Sequence, residues 1–243
     1  MNRPLAPDVR RSTIAISLMT ATAALLLSAF PAVAQEAALK ARLAEIKQAA
    51  AANKKALSLY NWQESQTISI KGEVKKQQMF LVSVGPDGQQ QKSEINAAAP
   101  AAPSGGRLKR HIVAKKTAEF KDYGEQIADL ARQYTQPDPG RLQQAYQQGN
   151  MSLQLGGGEN MVTLVLKNYI KPNDSMTLVF NKAQHAIQSL RIATYLSDPT
   201  DAVTVAAQFA KLPNGINHVT GTQINGVSKQ LTVVTQNSNY QPI

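Results

Sequence analysis

The stretch YNWQESQTISIKGEVKKQQMFLVSV, residues 60–84, decides the fold because its apolar residues recur at every second position. Such alternation is typical of antiparallel strands that bury one face. The residues of shared parity are Trp62, Ile68 and Ile70 in the first half and Val74, Phe80, Val82 and Val84 in the second. The next four residues, GPDG at 85–88, have the composition of a tight turn, so a third strand is expected over residues 89–95.

The same alternation returns in the second half of the chain, after Met151. It is clearest in DSMTLVFNKAQHAIQSLRIATYL, residues 174–196, and recurs at 203–209 and 231–235. Turn-forming residues such as Asn225-Gly226 separate these segments. We therefore expect six or so further strands in this half.

Three segments instead carry apolar residues at spacings of three and four, the pattern of an amphipathic helix. They cover residues 36–60, a stretch around residues 120–134 and a short helix that Asp138 caps, with Pro139 in its first turn. The elements together predict a β-rich α+β fold. We expect one strongly curved antiparallel sheet, an incomplete barrel, with an N-terminal helix and a central helix pair packed on its concave side.

The first 34 residues have the layout of a secretory signal peptide. Three arginines precede an apolar run over residues 14–30, and the small residues Ala32-Val33-Ala34 stand immediately before Gln35. The apolar run is shorter than the roughly 20 residues that span a bilayer, which disfavours an uncleaved anchor. We therefore expect cleavage between Ala34 and Gln35, and a single mature domain, residues 35–243, that is periplasmic or secreted.

The chain has no cysteine and a formal net charge of +10, which falls to +8 when residues 1–34 are removed. Without disulfides, the fold must be held by its core and its sheet hydrogen bonds. Positive charge attracts nucleic acid, anionic lipid or acidic proteins, and export argues against the first of these. An anionic surface or an acidic protein remains a candidate partner. The alternative is that the positive charge only keeps the protein soluble.

Motifs for metal and nucleotide binding are absent from the sequence. The three histidines, none of which has the spacing of a metal site, are His111, His185 and His218. The run LGGGE at 155–159 lacks the Lys-Ser/Thr pair of a phosphate loop, so we interpret it as a hairpin loop. We therefore predict no metal and no cofactor.

Carboxylates offer the one hint of catalysis, because a glycosidase needs two of them near each other. Glu64, Glu73 and Glu94 lie in or near the predicted strands. Nothing in the sequence sets their separation, and solvated strand faces explain them better. We predict no catalytic residue.

A basic segment over residues 107–121 leads into the second helix and follows AAAPAAPSGG, residues 97–106. The latter has the low complexity of a flexible connection. The cations that form a basic patch in the segment are Arg107, Lys109, Arg110, Lys115 and Lys116. They could dock anionic headgroups or an acidic partner, or they could only keep a solvated helix start soluble.

The order of elements resembles that of the LolA/LolB-like superfamily of periplasmic lipoprotein carriers. The resemblance is carried by residues 60–74, the GPDG turn, residues 174–196 and TQNSNY at 235–240. It implies an incomplete β-barrel with a hydrophobic concave face, covered by helices, that can hold an acyl chain or a protein segment. The alanine- and proline-rich segment with its basic helix start departs from the family pattern.

The leading hypothesis is a non-enzymatic exported protein, expected as a monomer, that binds a lipid, an acyl chain or a lipoprotein. The candidate lining residues on the apolar sheet face are Trp62, Ile68, Ile70, Phe80, Val82, Leu178, Phe180, Leu190, Ile192 and Phe209. The same residues could instead form a filled core. The alternatives are an envelope interaction module that uses its sheet edges and the basic segment, and a hydrolase whose site is assembled from distant residues.

Overall fold

The computed structural model describes residues 52–86, 88–95, 107–135, 138–155, 158, 160–181, 183–184 and 186–243. The predicted signal peptide, most of the predicted first helix and the connection at 97–106 lie outside these residues. Among the helices described, none is long and apolar enough to cross a membrane.

Ten strands form a single antiparallel sheet within the described part of the chain. Their bounds are β1 Tyr60–Ile70, β2 Glu73–Val84, β3 Gln90–Glu94, β4 Met151–Leu155, β5 Met161–Lys167, β6 Ser175–Asn181, β7 Ala186–Tyr195, β8 Ala202–Lys211, β9 Asn217–Gly226 and β10 Leu231–Pro242. The strand order is β3-β2-β1-β10-β9-β8-β7-β6-β5-β4. Strands β3 and β4 are therefore the two edges of the sheet, which is open rather than closed into a barrel.

One face of the sheet is apolar across most of its width, because paired residues on neighbouring strands point to the same side. The longest row, paired in sequence from β1 to β5, contains Ile68, Val233, Ile224, Val205, Ile192, Met176 and Leu166. All of these except Ile68 are buried. We call this side of the sheet the inner face.

Helices lie against the inner face. The described part of α1 is residues 52–57, α2 is Arg107–Thr135, and α3 is Pro139–Gln147. The second half of α2 packs into the core of the inner face, whereas the described side chains at 111–119 are all exposed. The carboxylate of Asp138 accepts a hydrogen bond from the Arg141 N–H at 2.8 Å, as the predicted cap of α3 requires.

Two tyrosines of α2 anchor the helix by hydrogen bonds. Tyr123 donates to Asp201 Oδ1 at 2.8 Å. The Tyr134 hydroxyl lies 2.5 Å from Asp174 Oδ2 and 2.7 Å from Thr194 Oγ1. Burial and the bond to Asp174 raise the pKa of Tyr134, so this hydroxyl stays protonated. The anchors fix α2 at both ends of its packed half.

Helix α2 packs closely against the sheet at Gly226. A Cβ on this residue would lie 2.6 Å from Ile127 Cδ1 and 2.7 Å from Tyr123 Cε1. A side chain here would force Ile127 and Tyr123 to shift, so the lack of a Cβ at the end of β9 lets the helix pack this close to the strand.

The predicted β-rich α+β architecture is confirmed: an open antiparallel sheet with helices on one face, consistent with the LolA-like fold. Two local predictions are wrong. Tyr60 belongs to β1, since the first helix ends at residue 57. Asn225 and Gly226 are the last residues of β9, and the turn is formed by residues 227–230.

A third correction concerns Val74, which is 56% exposed although its parity in the sequence predicts burial. Ile68 pairs with Lys76, whereas the next residue, Ser69, pairs with Val74. One extra residue in β2 is a β-bulge, and it reverses the alternation beyond that point. Val74 therefore lies on the outer face with Ser69.

Candidate functional site

The described residues of the inner face form two separate apolar clusters. The larger, here the main core, lies under α2 and α3 and spans β5 to β10. The smaller, here the Trp62 cluster, consists of Trp62, Phe80 and Val82, with Leu57, Val84 and Tyr240 packed against them. The Trp62 and Tyr240 rings stack with their centroids 5.4 Å apart. Trp62 Nε1 is buried and has no hydrogen-bond partner among the described residues.

A band of polar side chains on β1, β9 and β10 separates the two clusters. Along β1 the band consists of Glu64 and Gln66, which lie between Trp62 and Ile68. Each residue, backbone and side chain together, is 3% exposed. The band continues through Thr235 and Asn237 on β10 and Thr222 on β9. A void of about 20 Å³ within the band is large enough for one water molecule. Along β1, the inner face is therefore apolar at Trp62, polar at Glu64 and Gln66, and apolar again at Ile68.

Glu64 and Lys92 form an ion pair at the edge of this band. The Lys92 ammonium donates to Glu64 Oε1, and each side chain is only 4% exposed. Lys92 Nζ also lies 5.9 Å from the centre of the Phe80 ring. The interpretation of Glu64 as a solvated strand residue is therefore wrong, because its parity on β1 places it on the inner face. Either charge alone would be buried without a counter-charge.

The two other carboxylates considered from the sequence have partners of their own. Glu73 is exposed and accepts a hydrogen bond from Lys75. Glu94 accepts from Gln78 Nε2 at 3.0 Å. Within the described ranges, no group of three or more His, Cys, Asp or Glu side chains is placed to hold a metal ion.

The histidines are in unlike surroundings. His111 is exposed on α2, and His185 lies outside the described residues. His218 is buried on β9, where its ring meets the Tyr240 ring edge-on at 4.3 Å. Burial lowers the pKa of His218 below its ordinary value of 6.5, so its imidazole is neutral at pH 7. His218 therefore adds to the packing around the Trp62 cluster.

A cavity of about 480 Å³ lies beside the Trp62 cluster. Its described lining residues are Lys54, Lys55, Ser58, Val84, Gly85, Pro86 and Gly88. Val84 belongs to both features, because it lines the cavity and packs against the Trp62 cluster. Ligand pockets commonly have volumes of about 300–1,000 Å³, and the volume of this cavity lies within that range.

The ten predicted lining residues are divided between the two clusters. Three of them, Trp62, Phe80 and Val82, are the buried members of the Trp62 cluster. The other seven belong to the main core or pack against it, and they are Ile68, Ile70, Leu178, Phe180, Leu190, Ile192 and Phe209. Helix α2 packs on the main core, whereas the Trp62 cluster adjoins the cavity.

The basic patch lies on the first half of α2. Lys115 and Lys116 are exposed, as are the other described side chains from 111 to 119. The side chains of Arg107, Lys109 and Arg110 are outside the part of the chain that the structure describes. The described cations of this patch therefore face solvent.

Sequence reasoning did not identify the cavity or the buried polar band. A signal for the band was present, since Glu64 and Gln66 share the parity of Trp62, Ile68 and Ile70. A polar residue at a core-facing position of a strand indicates a buried, partnered group. No comparable signal marks Lys54 and Lys55, because they meet the β2–β3 turn only in the folded chain.

Neither a family model nor a curated protein matches this chain. It is similar to the solved structure of a DUF1329 family protein from Desulfovibrio piger, at 12% identity and a TM-score of 0.37, covering 79% of this chain and 92% of that one. It is also similar to a LolA superfamily protein from Nitrosomonas europaea, at 7% identity and a TM-score of 0.32, covering 78% and 91%. Because both TM-scores are below 0.5, these likenesses carry no argument about ligand or partner.

Proposed function

We propose that the protein is an exported, non-enzymatic binding protein that carries an apolar or amphiphilic ligand, such as the acyl portion of a lipid or lipoprotein. The observation that carries the proposal is the cavity beside the Trp62 cluster. An apolar chain entering it would meet Val84 and, behind Val84, the Trp62 cluster. Each methylene group removed from water there contributes about 0.8 kcal/mol to binding.

The arrangement of the inner face supports an amphiphile over a purely apolar ligand. The Trp62 cluster is bounded by lysines at the cavity and by the polar band along β1. A ligand with an apolar and a polar part would find both environments within one site.

The test uses Trp62, the only tryptophan of the chain. Brominated fatty acids quench a tryptophan that they touch, so titrating them into the mature protein should quench its emission in a saturable way. The variant Ser58→Phe narrows the cavity and should weaken this quenching. Ser197→Phe, at an exposed position outside the cavity, is the matched control. A titration without saturable quenching, together with a lipid-free mass in native mass spectrometry, would refute the proposal.

An envelope interaction module is the second candidate, and one observation favours it. Met79, Leu81 and Ile95 are 39%, 44% and 42% exposed beside the edge strand β3. The Ile95 N–H donates to the Met79 carbonyl at 2.8 Å, so the two residues sit side by side. Native mass spectrometry of the protein from an envelope fraction separates the candidates: a carrier retains a lipid mass, and an interaction module retains a protein mass.

A further inference from the structure

Two lysines that form no ion pair with any other described residue line the cavity beside the Trp62 cluster. Lys54 and Lys55 both line it, and no acidic side chain is among its described lining residues. Neither lysine takes part in an ion pair with another described residue. An anion entering the cavity would therefore meet two ammonium groups that no described carboxylate already neutralises.

The ammonium of Lys54 is held at the β2–β3 turn. A Cβ built on Gly88 would lie 3.0 Å from Lys54 Nζ, so the ammonium rests against the backbone of the turn. Gly88 has a φ of +72°, a conformation that glycine adopts without strain. Because Gly88 has no side chain, the turn leaves room for the Lys54 ammonium. The positive charge of Lys54 therefore lies at the end of β2.

The same cavity has an apolar wall close to these charges. Val84 is half-buried and packs against the Trp62 cluster, and Leu57 packs there from the end of α1. Lys115 and Lys116, by contrast, are exposed on a stretch of α2 whose described side chains are all exposed. Only at Lys54 and Lys55, among these four lysines, does positive charge adjoin an apolar surface.

We infer that Lys54 and Lys55 bind the anionic headgroup, a carboxylate or a phosphate, of an amphiphile whose apolar chain lies against Val84 and the Trp62 cluster. The inference rests on the proposed function and specifies the polar end of its ligand. Lys54 is half-buried and Lys55 is exposed, so each contact is partly screened by water. Removing both charges should weaken anionic ligands by about three- to tenfold.

The experiment compares three ligands of equal chain length at monomeric concentrations: dodecanoic acid, dodecyl phosphate and dodecanol. Binding is followed by Trp62 emission in the wild type and in the double variant Lys54→Gln/Lys55→Gln. The control is Lys115→Gln/Lys116→Gln, which removes two adjacent charges of the same sign elsewhere. Thermal unfolding of each variant shows that its fold is intact.

We expect the wild type and the control to prefer an anionic ligand to dodecanol, and the Lys54/Lys55 variant to lose that preference while binding dodecanol unchanged. The relative affinity of the acid and the phosphate then separates a fatty acid from a phospholipid-type headgroup. Equal affinities for all three ligands, or an unchanged preference in the variant, overturn the inference and leave the proposed function standing. If no ligand binds the wild type, the proposed function itself fails.

Discussion

Removing one partner of the Glu64–Lys92 ion pair should strongly destabilise the protein. Both side chains are 4% exposed, so the substitution Lys92→Met leaves a carboxylate on the inner face without its counter-charge. Methionine keeps an unbranched stem near Phe80, which limits the loss of packing. Breaking a buried pair in this way costs about 3–5 kcal/mol. In a domain of this size each kcal/mol lowers Tm by roughly 2–4 °C, so a fall of about 6–20 °C is expected.

The assay is equilibrium unfolding in urea at pH 7 for the wild type, Glu64→Gln, Lys92→Met and the double variant. The double variant should recover most of the stability, because neither charge is then buried alone. Glu73→Gln removes the carboxylate of an exposed pair and serves as the control, with almost unchanged stability expected. If Lys92→Met destabilises no more than this control, or if the double variant recovers nothing, the pair is not buried as described.

Three further substitutions test the anchoring of α2 and the packing of β9. Tyr134→Phe removes a hydroxyl bonded to Asp174, and urea unfolding should show a loss of about 1–3 kcal/mol; no loss would contradict the anchor. Gly226→Ala should cost about 1–3 kcal/mol in the same assay, because its Cβ collides with Tyr123; wild-type stability would disprove that close approach. Burial lowers the pKa of His218 in the folded protein below the 6.5 of the unfolded chain. As the pH falls below 6.5, the unfolded chain therefore binds more protons at this residue than the folded protein does, and the free energy of unfolding decreases. His218→Asn should reduce this fall in Tm, and an equal fall would count against the burial of His218.

Local spacing was enough to predict most elements of the fold. The alternation in residues 60–84 predicted β1 and β2, and the GPDG turn predicted the return strand β3. Asp138 and Pro139 predicted the start of α3. These predictions succeeded because each depends on residues close together in the chain, where propensity and periodicity act directly.

Predictions failed where a distant partner decides the outcome. Val74 has the parity of a buried residue, but a bulge in the pairing of β1 with β2 turns it outward. Glu64 has the chemistry of a solvated residue, but Lys92 comes from β3 to neutralise it on the inner face. A bulge and an ion pair both require a second strand, and the sequence of one strand does not record them.

The sequence by itself determined most of the secondary structure and, outside the β2 bulge, the side of each strand that is apolar, because these follow from the order of side chains along a short stretch. Only the tertiary structure decided that the apolar face is divided into the main core and the Trp62 cluster. The pairing of β1 with β10 sets that division, since it places Glu64 beside Asn237 and Gln66 beside Thr235. The tertiary structure also places Lys54, in α1, next to Gly88 in the β2–β3 turn. Contacts between residues far apart in the chain depend on the packing of whole elements, and that packing created the candidate site.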